Sequence, residues 1–146
     1  MEPSYLELDL LKLSRALAQL YESKSFWKYL EGYGPSDGGC VEVALAIKKY
    51  FRCKLWGIYS EESRLIQHMC VSLFQGCYAD AYGVFYTGSG YLIHWNLVLK
   101  HSSRVYLAPV RLDEIPDISE LELSDEVFNR AHKIAEHLKD IYKGLE

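Results

Sequence analysis

Gly38-Gly39-Cys40-Val41-Glu42-Val43-Ala44-Leu45-Ala46 is the stretch around which the chain is arranged. Two glycines lead into a cysteine, and the cysteine into an apolar run of helical spacing. The glycines permit a tight backbone and leave the sulfur accessible. The run predicts a helix over 40–51 that buries Ala44, Ile47 and Phe51, with Val41, Val43 and Leu45 beside them. Cys40 then stands in the first helical turn. Unpaired N–H groups and the positive end of the helix dipole there favour a thiolate. Cys40 is therefore a candidate nucleophile, against the competing expectation of a buried and inert thiol. The preceding loop, 31–39, carries Gly32, Gly34, Pro35, Ser36 and Asp37. Ser36 or Asp37 is in place to cap the helix. The loop lacks the Gly-Lys-Ser/Thr ending of a phosphate cradle and follows no strand, which excludes that use.

Working outward, Pro3-Ser4-Tyr5-Leu6-Glu7 reads as a helix start, with Ser4 and Glu7 as a capping box. Leu6, Leu10, Leu13, Leu17 and Leu20 form one stripe of that helix. The stripe packs on the chain's own core or offers a face for self-association into a homo-oligomer. Phe26, Tyr29 and Leu30 extend it or form a second helix after Ser23 or Ser25. Beyond the central helix, 55–59 and 68–74 are short, branched and aromatic, as strands are. Gln75-Gly76 makes a turn and 77–81 a hairpin partner. The run 82–86 continues extended or loops away. The aromatic and branched content of 91–99 suits a strand, but Leu92, Trp95 and Leu99 are spaced as on a helix capped by Ser89, and the helix is the preferred reading. Arg104 to Val110 is a strand, near an edge because of Pro109. An acidic linker, 112–123, leads to a last helix capped by Ser124 and ended by Gly144. Its buried stripe is Val127, Phe128, Ala131, Ile134, Ala135, Leu138 and Ile141.

The order of elements predicts an α+β fold, an antiparallel sheet of about four strands packed by helices. One domain over 1–146 is expected, with an N-terminal helical region 1–31, a core 36–110 and a closing helix 124–144. The hydrophobic share is 49%, high enough for an ordered core. The net charge is −4 and no block of like charges occurs, which argues against nucleic acid as partner. Lys48, Lys49, Arg52 and Lys54 read as the solvated side of one helix. Glu2 and Glu7 stand where a secretory leader would be basic, and no apolar run is long enough to span a membrane. A cytoplasmic protein with no membrane association is expected. Cys40, Cys53, Cys70 and Cys77 fit reduced thiols better than a disulfide framework.

Two residues raise the standing of Cys40. His68 opens the strand after the polar loop, and Asp80 ends the hairpin partner. Nucleophile, base and orienting carboxylate then meet at one end of the sheet. The arrangement depends on register. A two-residue loop pairs Phe74 with Cys77 and puts His68 and Asp80 on opposite faces. A three-residue loop or bulge at 75–77 pairs Phe74 with Tyr78 and puts both on one face. Trp56, Tyr78, Tyr82 and Tyr91 would supply an aromatic wall, suited to a peptide or protein amide substrate. His94 is the reserve base. His68, Cys70 and Cys77 are the competing metal set, since the two-residue loop gives them one face. The triad reading calls for no metal and no cofactor.

Gly-Gly-Cys-x-x-x-Ala, then His-x-x-Val, then Tyr-x-Asp-Ala-x-Gly resembles the papain-like superfamily of cysteine peptidases. The core, 36–99, is most similar to its transglutaminase-like and small bacterial or phage peptidase-like branches. The resemblance implies a papain-like core with the nucleophile at a helix N-terminus. By position it implies Cys40 as nucleophile, His68 as base and Asp80 as orienting carboxylate. The pattern also departs from the family. Gly-Cys-Val stands where the cell-wall peptidase branch has Asp-Cys-Ser, and no Gln lies between Gly32 and Cys40, whereas papain carries one ahead of its Cys. Backbone N–H groups, Ser36 or Asp37 would then shape the oxyanion region.

Two functions follow as expectations. One is a thiol-dependent acyl-transfer enzyme, an amide or peptide hydrolase, deamidase or transamidase using Cys40, His68 and Asp80. The other is a non-catalytic papain-like interaction module, such as a bacterial or phage adaptor, immunity or anti-defence protein.

Overall fold

The computed structural model describes residues 5–30, 39–74, 76–98, 104–110 and 125–145. In chain order the elements are α1 (Leu10–Glu22), α2 (Lys24–Tyr29), α3 (Cys40–Tyr50), β1 (Lys54–Ser60), β2 (Ile66–Ser72), β3 (Tyr78–Asp80), β4 (Gly83–Phe85), α4 (Gly88–Val98), β5 (Val105–Pro109) and α5 (Asp125–Gly144). The expected linker 112–123, the caps Ser4, Ser36, Asp37 and Ser124, Gln75 and His101 lie outside the described residues.

The fold is α+β, with a five-stranded antiparallel sheet in the order β4-β3-β2-β1-β5. One strand more than expected arises because Ala81 and Tyr82 form a two-residue turn. Asp80 pairs with Gly83, so the extended run after the turn becomes β4. Gly83 has φ +122°, a conformation closed to most side chains. As predicted, β5 with Pro109 at its end is an edge strand.

Strand alternation divides the sheet into two faces. On one, Leu55, Met69, Val71, Leu73, Cys77 and Ala79 join the apolar sides of α1, α3 and α5 in the main core. On the other, Ile58, Cys70 and Tyr78 meet Tyr91 and Trp95 of α4. Gly57 lies close under its neighbours. A Cβ there would come within 2.5 Å of Ile66 Cδ1 and 2.8 Å of Val110 Cγ2.

Several helix boundaries differ from expectation. α1 begins at Leu10, where the Asp9 side chain accepts the Lys12 N–H. Glu7 lies ahead of the helix: Leu6 N–H donates to the Tyr50 carbonyl at 2.7 Å, and the Tyr142 hydroxyl donates to the Glu7 carbonyl. Tertiary bonds thus hold 5–9 extended in place of the capping box. Leu13, Leu17 and Leu20, with Ala16, are buried, and α1 packs on α5 and β4. The core therefore takes the leucine stripe. Ser23 caps α2 by accepting the Phe26 N–H. α4 starts at Gly88, and Thr87, not Ser89, accepts the Gly90 N–H at 3.0 Å. On α5, Phe128 is exposed and Tyr142 buried, so the apolar stripe tilts away from the expected line.

Candidate active site

Cys40 is the first residue of α3, and Gly39 precedes it without a side-chain cap. The first bond within the helix runs from Val43 N–H to the Gly39 carbonyl. The N–H groups of the first turn therefore lie beyond the helical ladder, beside the thiol. Cys40 is buried, 2% exposed.

The β2–β3 hairpin fixes the other two residues. Leu73 N–H donates to the Cys77 carbonyl and Cys77 N–H to the Phe74 carbonyl, both at 2.9 Å. The loop therefore has three residues, 74–76, and Gly76 supplies the left-handed position at φ +78°. Val71 pairs with Ala79 and Ser72 with Tyr78. The pairing sits one residue pair off the expected three-residue register and keeps its parity. From His68 onward, the even-numbered residues of β2 and those of β3 share the face beneath α4. His68 and Asp80 are on it together, and the two-residue alternative does not occur.

His68 Nε2 and Asp80 Oδ2 are 3.0 Å apart, the ring N–H donating to the carboxylate. Neither residue is more than 3% exposed. Two further donors hold the carboxylate. The Tyr91 hydroxyl donates to the same oxygen at 2.5 Å, and Tyr82 N–H donates to Oδ1 at 2.8 Å. Three donors suit a carboxylate that only accepts. Tyr91, expected as part of an aromatic wall, is thus a partner of Asp80 from the overlying helix. Nothing in the spacing of the sequence marks it for that role.

The second ring nitrogen, His68 Nδ1, is buried and has no hydrogen-bond partner of ordinary geometry among the described residues. Burial alone would lower the imidazole's pKa. Cys40, through charge and hydrogen bonding, and Asp80, through the same two effects, raise it to about 10. His68 is thus linked electrostatically to the thiol and bonded directly to the carboxylate. A loose thiol–imidazole contact is usual in the absence of substrate.

The remaining thiols are disfavoured as nucleophiles. Burial pushes Cys53 up to about 12. Cys70 lies beside the triad, but burial and then the Asp80 charge push it well above the ordinary thiol range. Burial, reinforced by Asp80 and Cys70, likewise keeps the Tyr91 hydroxyl protonated. Cys77 belongs to the helix-packed core while Cys70 faces α4, so His68, Cys70 and Cys77 do not converge as metal ligands.

No family model, no curated protein and no solved structure matches this chain. The site is read from its own geometry.

Of the expected wall residues, Trp56, Tyr78 and Tyr91 pack together, while Tyr82 packs on other rings. Tyr78 lies over Tyr91, with ring centroids 6.0 Å apart and planes nearly parallel. Trp56 meets Tyr78 edge-on at 5.5 Å. The Tyr82 ring packs on Tyr21 at 5.5 Å and His94 at 5.1 Å. His94 is held between Tyr82 and Phe85, 4.7 Å from the latter ring, and its contacts are with those rings instead of the triad. A buried ion pair that the sequence reading did not anticipate joins α3 to α5: Arg130 Nε donates to Glu42 Oε2 at 3.4 Å.

Proposed function

We propose that the chain is a thiol-dependent acyl-transfer enzyme of the papain-like superfamily, with Cys40 as nucleophile, His68 as base and Asp80 as orienting carboxylate. The observation that carries this reading is the buried His68 ring. Asp80 holds one of its nitrogens, and Cys40 is among the groups that raise its pKa. Asp80 fixes the tautomer and so leaves Nδ1 as the proton acceptor.

In the reaction, His68 Nδ1 already carries the proton of the Cys40 thiol, as its raised pKa favours, and the sulfur attacks an amide carbonyl carbon. The N–H groups of the first α3 turn receive the developing oxyanion. When the tetrahedral species collapses, the C–N bond breaks and His68 returns its proton to the leaving amine, leaving a thioester on Cys40. Water then releases an acid, or a second amine releases a new amide, with His68 again moving the proton. A peptide or protein amide is the substrate class in this reading.

The reading is tested with p-nitrophenyl acetate followed by mass spectrometry of the chain. One acetyl group on Cys40 is expected. It should be absent in Cys40→Ala and form at least about 100-fold more slowly in His68→Ala. Acetylation spread over lysines, or undiminished in both variants, overturns the reading.

One observation favours the second reading, a non-catalytic interaction module on the same fold. The Cys40 thiol and the His68 ring are 2% and 0% exposed, so a substrate carbonyl has to be admitted by movement of the surrounding chain. In that reading Cys40 is a core residue, and Cys40→Ala leaves every activity of the folded protein intact.

A further inference from the structure

A groove of about 520 Å³ lies at the end of the sheet away from His68. Three separate stretches of chain build it. Tyr5 comes from the N-terminal segment, which the Leu6–Tyr50 hydrogen bond ties to the end of α3. Arg52 comes from the link between α3 and β1, and Lys54 opens β1. Ser72 and Phe74 come from the end of β2 and the hairpin loop. Lys54 pairs with Ser72 across the sheet, and Trp56 follows two residues on, so these three share one face.

The lining has a definite chemistry. Among the described residues it holds two cations and no carboxylate, in a chain whose net charge is −4. Among the described residues neither cation is in an ion pair. The Arg52 guanidinium lies 5.1 Å from the centroid of the Tyr5 ring, which keeps its hydrogen-bonding edge free. Phe74 is 45% exposed, large for an apolar ring, and Trp56 is half-buried. Unpaired cations beside exposed rings and a hydroxyl are the complement of a flat apolar group carrying one negative charge.

We infer that this groove is a binding site for an aromatic carboxylate. The carboxylate sits between Arg52 and Lys54 and the ring against Trp56 and Phe74. Its volume suits a ligand of one or two residues' size, either free or as the end of a peptide. The inference is independent of the acyl-transfer reading, since none of these residues belongs to the triad.

The test is an NMR titration of the full chain, following the indole N–H signals of Trp27, Trp56 and Trp95 with N-acetyl-L-phenylalanine. Trp56→Phe assigns the signal. The Trp56 signal is expected to move while those of Trp27 and Trp95 stay. N-acetyl-L-phenylalanine amide should bind at least about tenfold more weakly, as should the acid to the doubly substituted Arg52→Gln/Lys54→Gln chain. Both substitutions are on exposed side chains, and circular dichroism confirms that the fold is kept. A dipeptide ending in phenylalanine that binds at least as tightly as the acetylated acid assigns the site to peptide ends, and weaker binding assigns it to free acids. No shift of the Trp56 signal at about 10 mM acid, or equal affinity for acid and amide, overturns the inference.

Discussion

His68 and Asp80 face each other across the β2–β3 hairpin, Nε2 to Oδ2 at 3.0 Å, both sealed from solvent. A diagonal pair at this distance exists because the three-residue loop 74–76 sets an even register. A one-residue slip would turn one of the two residues to the opposite face.

The pair has a pH signature. Burial opposes the charge on His68, and Cys40 and Asp80 overcome it, raising the pKa from 6.5 to about 10. The ring should therefore stay protonated at about pH 8, as read from its ring nitrogen shifts. Asp80→Asn and Cys40→Ser should each lower the midpoint, since each removes a raising cause. A group that holds its proton more tightly when folded contributes stability that is whole below the unfolded pKa, 6.5 here, and is lost as pH rises through about 10. Urea unfolding should show the advantage of the wild-type chain over His68→Gln narrowing across that window.

Tyr91 binds the oxygen of Asp80 that His68 also uses. Tyr91→Phe keeps the ring and removes the donor. A hydrogen bond to a charged acceptor in a buried site is worth about 1.5–3 kcal/mol, and a loss of that size is expected in thermal or urea unfolding. Tyr86→Phe, at a 57% exposed residue, should change stability by less than about 0.5 kcal/mol.

Much of this arrangement was legible in the residues. Gly38-Gly39 followed by an apolar run marked Cys40 as a helix start, because glycine and periodicity act locally. The hairpin was legible too, and its alternatives came down to the parity of one loop. The position of that loop was not, since two three-residue placements give His68 and Asp80 the same face. The start of α1 misled for a different reason. Ser4 and Glu7 fit a capping box, but Leu6 N–H finds the Tyr50 carbonyl across the core, a long-range bond that no local pattern encodes. Tyr91 and the Glu42–Arg130 pair belong to the same class, since each depends on which helix lies over which strand or helix.

The Glu42–Arg130 pair gives a further expectation. Burial raises Glu42 above its ordinary range, and Arg130 pulls it partly back. Arg130→Met removes that compensation. A loss of about 3 kcal/mol is expected near neutral pH, where the buried carboxylate is left without its guanidinium. The loss should shrink as the pH is lowered, because Glu42 then takes up a proton. Urea unfolding at neutral and at lower pH checks this.

The central claim is that Cys40 is a thiol activated by His68, and its reaction with iodoacetamide at about pH 6 tests it most directly. An ordinary thiol, with a pKa of about 8.5, reacts slowly there. Cys53, pushed up to about 12, is the internal reference. Peptide mapping by mass spectrometry should show Cys40 alkylated well ahead of Cys53, with the rate falling at least about tenfold in His68→Ala. If Cys40 reacts no faster than Cys53, or if His68→Ala leaves its rate unchanged, His68 does not activate Cys40 and the account fails.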